Sequence, residues 1–126
     1  MLALEAILGL RVMASPEALD AAPWASEAVV LRFAPDDAFA ISVMDIDVTD
    51  DHAIVAQEAG FVGVWLTTDE LIERVVPHIE WPLPVARPAL AQGLIAGVPA
   101  KLWLAEDRAL LLCAGAYAHE LTERLR

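Results

Sequence analysis

The chain has 126 residues, 58% of them hydrophobic, which is enough for one domain with a proper core and too short for two of ordinary size. Nineteen acidic residues against eight basic ones leave a formal charge of −11, which repels nucleic-acid phosphates and an anionic membrane surface but suits a basic patch on another protein. With one cysteine no intramolecular disulfide can form, and Cys113, at the end of the run Leu110-Leu111-Leu112, reads as a buried thiol rather than a nucleophile.

The start of the chain, Met1-Leu2-Ala3-Leu4-Glu5, has no positively charged leader, and Glu5 breaks its apolar stretch. Charges or prolines interrupt every apolar run before the roughly 18 residues of a spanning helix. A cytoplasmic protein is therefore expected. Ser15 followed by Pro16 has the form of an N-cap with proline at the first helical position, which predicts a short helix over 16–21. The rest of the first 24 residues is Ala-rich and reads as a possible helical extension.

Residues 28–33 are apolar and branched, Pro35-Asp36-Asp37 reads as a turn, and Phe39, Ile41 and Val43 alternate with small residues, predicting a hairpin. Met44, Ile46 and Val48 alternate with Asp45, Asp47 and Thr49, the period-two pattern of a strand with one acidic wet face. Residues 61–66 are apolar on both faces, as in a central strand, and Thr67 stands three residues before Glu70 as a helix cap would. In the helix that follows, Leu71, Ile72, Val75, Val76 and Ile79 form one stripe, which Pro77 should end or kink.

Trp81-Pro82-Leu83-Pro84 and Pro88 predict a stiff extended crossing. Residues 89–104 then read as a long strand region broken at Gly93, Gly97 and Pro99. A turn at Ala105-Glu106-Asp107-Arg108 leads into a strand over 109–114, and Tyr117, Leu121 and Leu125 give a last helix its apolar side. There are no internal repeats or low-complexity linkers.

Few residues group into chemistry. The acidic run 45–51 begins like a calcium loop but lacks the glycine at its sixth position and has Ala56 where the closing glutamate belongs. Asp50 and Asp51 suit either an acid and base pair or a solvated turn. His78 and Glu80 could both face a metal only on extended backbone, while His52 and His119 lie too far away in sequence to join them by spacing. The serines Ser15, Ser26 and Ser42 lack a nucleophile elbow. The stretch 93–101 imitates part of a phosphate loop, with Lys101 in the wrong place for it. Trp65 and Trp103 either fill core or line a flat-ligand pocket, and Arg32 and Arg87 either hold an anion or pair with local acids. No catalytic, cofactor-binding or metal-binding residue is assigned, and no cofactor.

Ala34-Pro35-Asp36-Asp37-Ala38-Phe39 makes a strand, proline-acidic turn, strand element, and residues 60–83 make a strand and helix leading to a Leu-Pro stretch. Residues 91–104, then Ala109-Leu110-Leu111-Leu112 and Tyr117-Ala118-His119-Glu120-Leu121, make a closing hairpin and terminal helix. In this order, over residues 28–125, the segments resemble the gamma subunit of heterotetrameric sarcosine oxidases and, more distantly, folate-binding aminomethyltransferase-like domains. The resemblance implies an α+β domain of ferredoxin-like type, with flavin, nicotinamide and folate chemistry in partner subunits. No folate-contacting or catalytic residue of that family transfers to a position here.

The expectation is a single α+β domain over 1–126, with an antiparallel sheet of about five or six strands and two or three helices mainly on one face. The expected function is a non-catalytic accessory subunit that docks on a larger oxidoreductase or one-carbon enzyme. A homodimeric module that binds an amino acid or folate-like ligand is the alternative. An enzyme using Asp50, Asp51 or His78 is the third.

Overall fold

The structure, a computed structural model, describes residues 2–126 and groups them into two compact units, residues 2–6 with 60–126, and Ile7–Ala59. In chain order come β1 (Glu5–Ala6), β2 (Gly9–Met13), α1 (Pro16–Ala21), β3 (Val30–Ala34), β4 (Asp37–Ile41) and β5 (Ile54–Glu58). Then follow β6 (Phe61–Thr67), α2 (Thr68–Glu70), β7 (Ala89–Ile95), β8 (Val98–Leu104), β9 (Arg108–Ala114) and α3 (Ala118–Arg124). The architecture is α+β and antiparallel, but its strands form two sheets, of five and four strands, where one had been expected.

In the unit Ile7–Ala59 the sheet order is β3-β4-β2-β5. Successive side chains of a strand alternate between faces, so Leu10 and Val12 of β2 join Ala38 of β4 and Ala18 and Leu19 of α1 in one buried cluster. Helix α1 starts as its sequence dictates, because the Ser15 hydroxyl accepts from the Ala18 amide at 3.1 Å and Pro16 needs no donor there. The turn Pro35-Asp36 joins β3 to β4, with a register shift between Arg32 and Ala34.

Of the expected elements in the first 24 residues, the helix over 16–21 forms as α1, and residues 9–13 form β2. One expectation fails in this unit. Residues 43–48 form no ladder, although Ile46 and Val48 pack on the buried cluster while Asp45 and Asp47 stay exposed. Their period of two records which side is buried, not a hydrogen-bonded neighbour. The strand that pairs with β2 on the side away from β4 is β5, where four of five residues are exposed and no alternation exists to find it.

In the other unit the sheet order is β1-β6-β9-β8-β7. Leu66 of β6, Leu111 of β9, and Leu102 and Leu104 of β8 share one face and one cluster with Leu71, Val75, Leu121 and Leu125 from the helical segments. Each such leucine contributes about 1.5–3 kcal/mol on burial. Strand β9 is buried from Ala109 through Cys113, as a strand covered on both faces should be.

Thr67 closes the capping box that its spacing predicts: its hydroxyl accepts from the Glu70 amide at 3.1 Å, and its own amide donates to the Glu70 carboxylate at 3.0 Å. After α2 the helix widens to a π turn over Leu71–Val75 and tightens to a 3-10 turn over Val76–His78. Pro77 imposes the change of pitch, since it lacks an N–H and its ring would strike the Glu73 carbonyl in a regular α-turn. The long strand region 89–104 is two strands folded at Ala96-Gly97, both with positive φ, of 50° and 79°. That pair of angles defines the tight hairpin turn whose twist matches the strands it joins. Among the described residues no helix is long and apolar enough to cross a membrane.

Candidate functional site

The face of the five-stranded sheet opposite α2 and α3 carries the alternate residues of β6 to β9. Gln92 on β7 and Lys101 on β8 are cross-strand partners there, and the Lys101 ammonium donates to the Gln92 Oε1 at 2.8 Å. Phe61 and Ala114 pair across β6 and β9 at the strand ends, where the chain turns through Tyr117 toward α3. Together with Leu94 and Pro99 they enclose a concavity of about 410 Å³. Its lining contains one cation and no carboxylate. Cys113 also lines it, and burial pushes the thiol pKa up, which keeps the sulfur protonated and a poor nucleophile at neutral pH.

A second concavity of about 370 Å³ is lined by His78, Glu80, Trp81, Leu94, Ala96 and Gly97. His78 and Glu80 therefore do share a surface, because Ile79 between them is extended at φ −113° and ψ 148°. No third ligand joins them: among the described residues no group of three or more His, Cys, Asp or Glu is placed to hold a metal. Trp81 shapes this site, its indole N–H donating to the Leu94 carbonyl at 3.0 Å. Its ring leaves room only for glycine at position 93, where an added Cβ would lie 2.8 Å from the indole nitrogen.

The remaining candidates take up structural work. The Asp50 carboxylate accepts the Ser15 amide at 2.8 Å and the His52 amide at 2.9 Å, and these bonds hold its pKa below the usual carboxylate value. A general acid needs the opposite shift. Asp51 is exposed beside it. Arg32 bonds Asp20 at 2.9 Å and the Pro35 carbonyl at 2.7 Å, and Arg87 bonds the Pro84 and Ala86 carbonyls. Trp65 and Trp103 flank Leu110 across the sheet and line neither concavity, and the Arg108 guanidinium stacks 4.0 Å above the Trp65 ring.

Sequence reasoning passed over Arg11, the most connected cation of the other unit. From the middle strand β2 its guanidinium grips both Asp37 oxygens, at 2.6 and 2.7 Å, reaches Glu58 at 2.9 Å and lies 5.1 Å over the Phe33 ring. One side chain thus ties β2 to β3, β4 and β5, and the paired charges raise its own pKa further. The available signal was a lone arginine between the apolar residues Leu10 and Val12.

No family model matches the chain, and no curated protein or solved structure is significantly similar to it. Fold and site define an α+β protein of two antiparallel sheets, one of which bears a ligand-sized, mostly apolar concavity.

Proposed function

We propose that the chain is a non-catalytic accessory subunit that docks on a larger oxidoreductase or one-carbon enzyme, in the manner of the sarcosine oxidase gamma subunits its segments resemble. The carrying observation is the outer strand β5, whose only strand neighbour in the sheet among the described residues is β2. Ile54 and Val55 on it are 62% and 40% exposed, Met13, the cross-strand partner of Ile54, is 42% exposed, and Met44 is 75% exposed. Outer strands that expose apolar side chains are recognition surfaces. The ferredoxin-like type belongs to this proposal, supported by the antiparallel sheet with helical segments packed on one face. The acidic surface favours a partner with a basic patch.

The test is affinity capture of the tagged chain from its native cell extract, followed by mass spectrometry and sizing. A flavoprotein or one-carbon enzyme recovered at fixed stoichiometry, and lost with Ile54→Lys, is the expected outcome. Recovery of a homo-oligomer alone would overturn it. The concavity beside Lys101 favours a second reading, a small-ligand-binding module, in which any native-state ligand raises the melting temperature.

A further inference from the structure

We propose that the concavity between residues 78–81 and the turn of the β7-β8 hairpin binds a small primary ammonium with an apolar tail, the ammonium at the Glu80 carboxylate and the tail against Trp81 and Leu94. This site differs from the Lys101 concavity, and the proposal does not depend on docking through β5. At about 370 Å³ the space falls within the range of small-molecule sites. Pro77 ends the helical segment, the extended Ile79 sets His78 and Glu80 on one side, and Ala96-Gly97 turn the chain back beside them.

The lining decides the charge of the ligand. It holds one carboxylate, one imidazole and one indole, and no lysine or arginine. Glu80 is exposed, and among the described residues no cation pairs with it. An anion would meet that carboxylate and find the indole N–H already donated to the Leu94 carbonyl. A primary ammonium has three donors, which the Glu80 carboxylate and a neutral His78 imidazole can accept, and an indole face attracts a cation. Arg124 reaches the hairpin turn, but its guanidinium donates to the Ala96 carbonyl at 2.7 Å, pairs with Glu120 and does not line the concavity. The excess of 19 acidic over 8 basic residues adds a field that concentrates cations there. The walls are also set in advance. The His78 carbonyl accepts the Ala96 amide at 2.8 Å, and the bond from Trp81 to Leu94 holds the indole, so little order remains to be gained on binding.

The experiment is an amide-resolved NMR titration of the full chain at neutral pH with hexylammonium, hexan-1-ol and hexanoate, which share a tail and differ in charge. Hexylammonium is expected to bind with Kd on the order of 1 mM and hexan-1-ol roughly tenfold more weakly. The shifts should centre on His78, Glu80, Leu94 and the indole N–H of Trp81, where hexanoate should cause none. Glu80→Gln should weaken hexylammonium about fivefold and leave hexan-1-ol unchanged. Glu106→Gln removes one exposed charge from the turn between β8 and β9 and should leave both unchanged. Equal affinity for hexylammonium and hexan-1-ol would overturn the proposal, as would an equal loss in the two variants, which would assign the attraction to the general field. A preference for hexanoate, or no shift at these residues at tens of millimolar, would overturn it as well. Unchanged dispersion of the spectrum in each variant separates these outcomes from unfolding.

Discussion

Arg11 shows at the scale of one residue how a polar group can organise a sheet. Its side chain is 25% exposed, and those of Asp37 and Glu58 are 18% and 24% exposed, so solvent screens these pairs less than it does surface ones. Arg11→Met preserves most of the side-chain volume and removes the cation from both carboxylates. The expected cost is about 1–3 kcal/mol in urea unfolding, and a loss under about 0.5 kcal/mol would mean that water serves the two acids equally well. The partners stand 26 and 47 residues away in the chain, which is why the sequence alone does not disclose them. The Thr67 and Glu70 capping box was legible because three residues of spacing on a helix fix its geometry. Lys101 lay between these cases. Its place in a broken apolar run was visible, but the partner Gln92 and the concavity around both depend on hairpin register.

Elements divide in the same way. Strand β6, the start of α2 and the hairpin of β8 and β9 carry local signals, namely a continuous apolar run, a cap and a polar turn between apolar strands. Strands β2 and β5 and the irregular segment 43–48 depend on distant neighbours, and there the pattern misleads. The hairpin of β7 and β8 combines both. Gly97 meets the positive φ without penalty, whereas Ala96 holds φ 50° with a Cβ that disfavours it. Asparagine followed by glycine is the preferred pair for this turn. Ala96→Asn is therefore expected to raise stability by about 0.5–1 kcal/mol, seen as a higher denaturation midpoint at unchanged slope. A lower midpoint would show that the partly buried alanine methyl matters more than the backbone angle.

The whole molecule responds to acid through carboxylates that accept backbone amides. Asp50 in one unit, bonded by the Ser15 and His52 amides, and Glu70 in the other, bonded by the Thr67 amide and hydroxyl, both have folded-state pKa values below the ordinary ones. A depressed folded pKa supplies stability above the unfolded value and loses it as pH falls through the folded one. The melting temperature is thus expected to drop below about pH 4, with Asp50→Ala converging on the parent as the pH falls. A gap between parent and variant that stays constant with pH would assign the role of Asp50 to packing instead.

The chain order of the two units has a consequence for synthesis. Residues 7–59 interrupt the other unit, whose first strand β1 pairs with β6 through Glu5 with Gly63 and Ala6 with Val62. As the chain leaves the ribosome, the interrupting unit is complete once Ala59 emerges and can fold at once. Residues 2–6 must wait for β6 to appear, and the sheet they belong to closes only when β9 slots between β6 and β8.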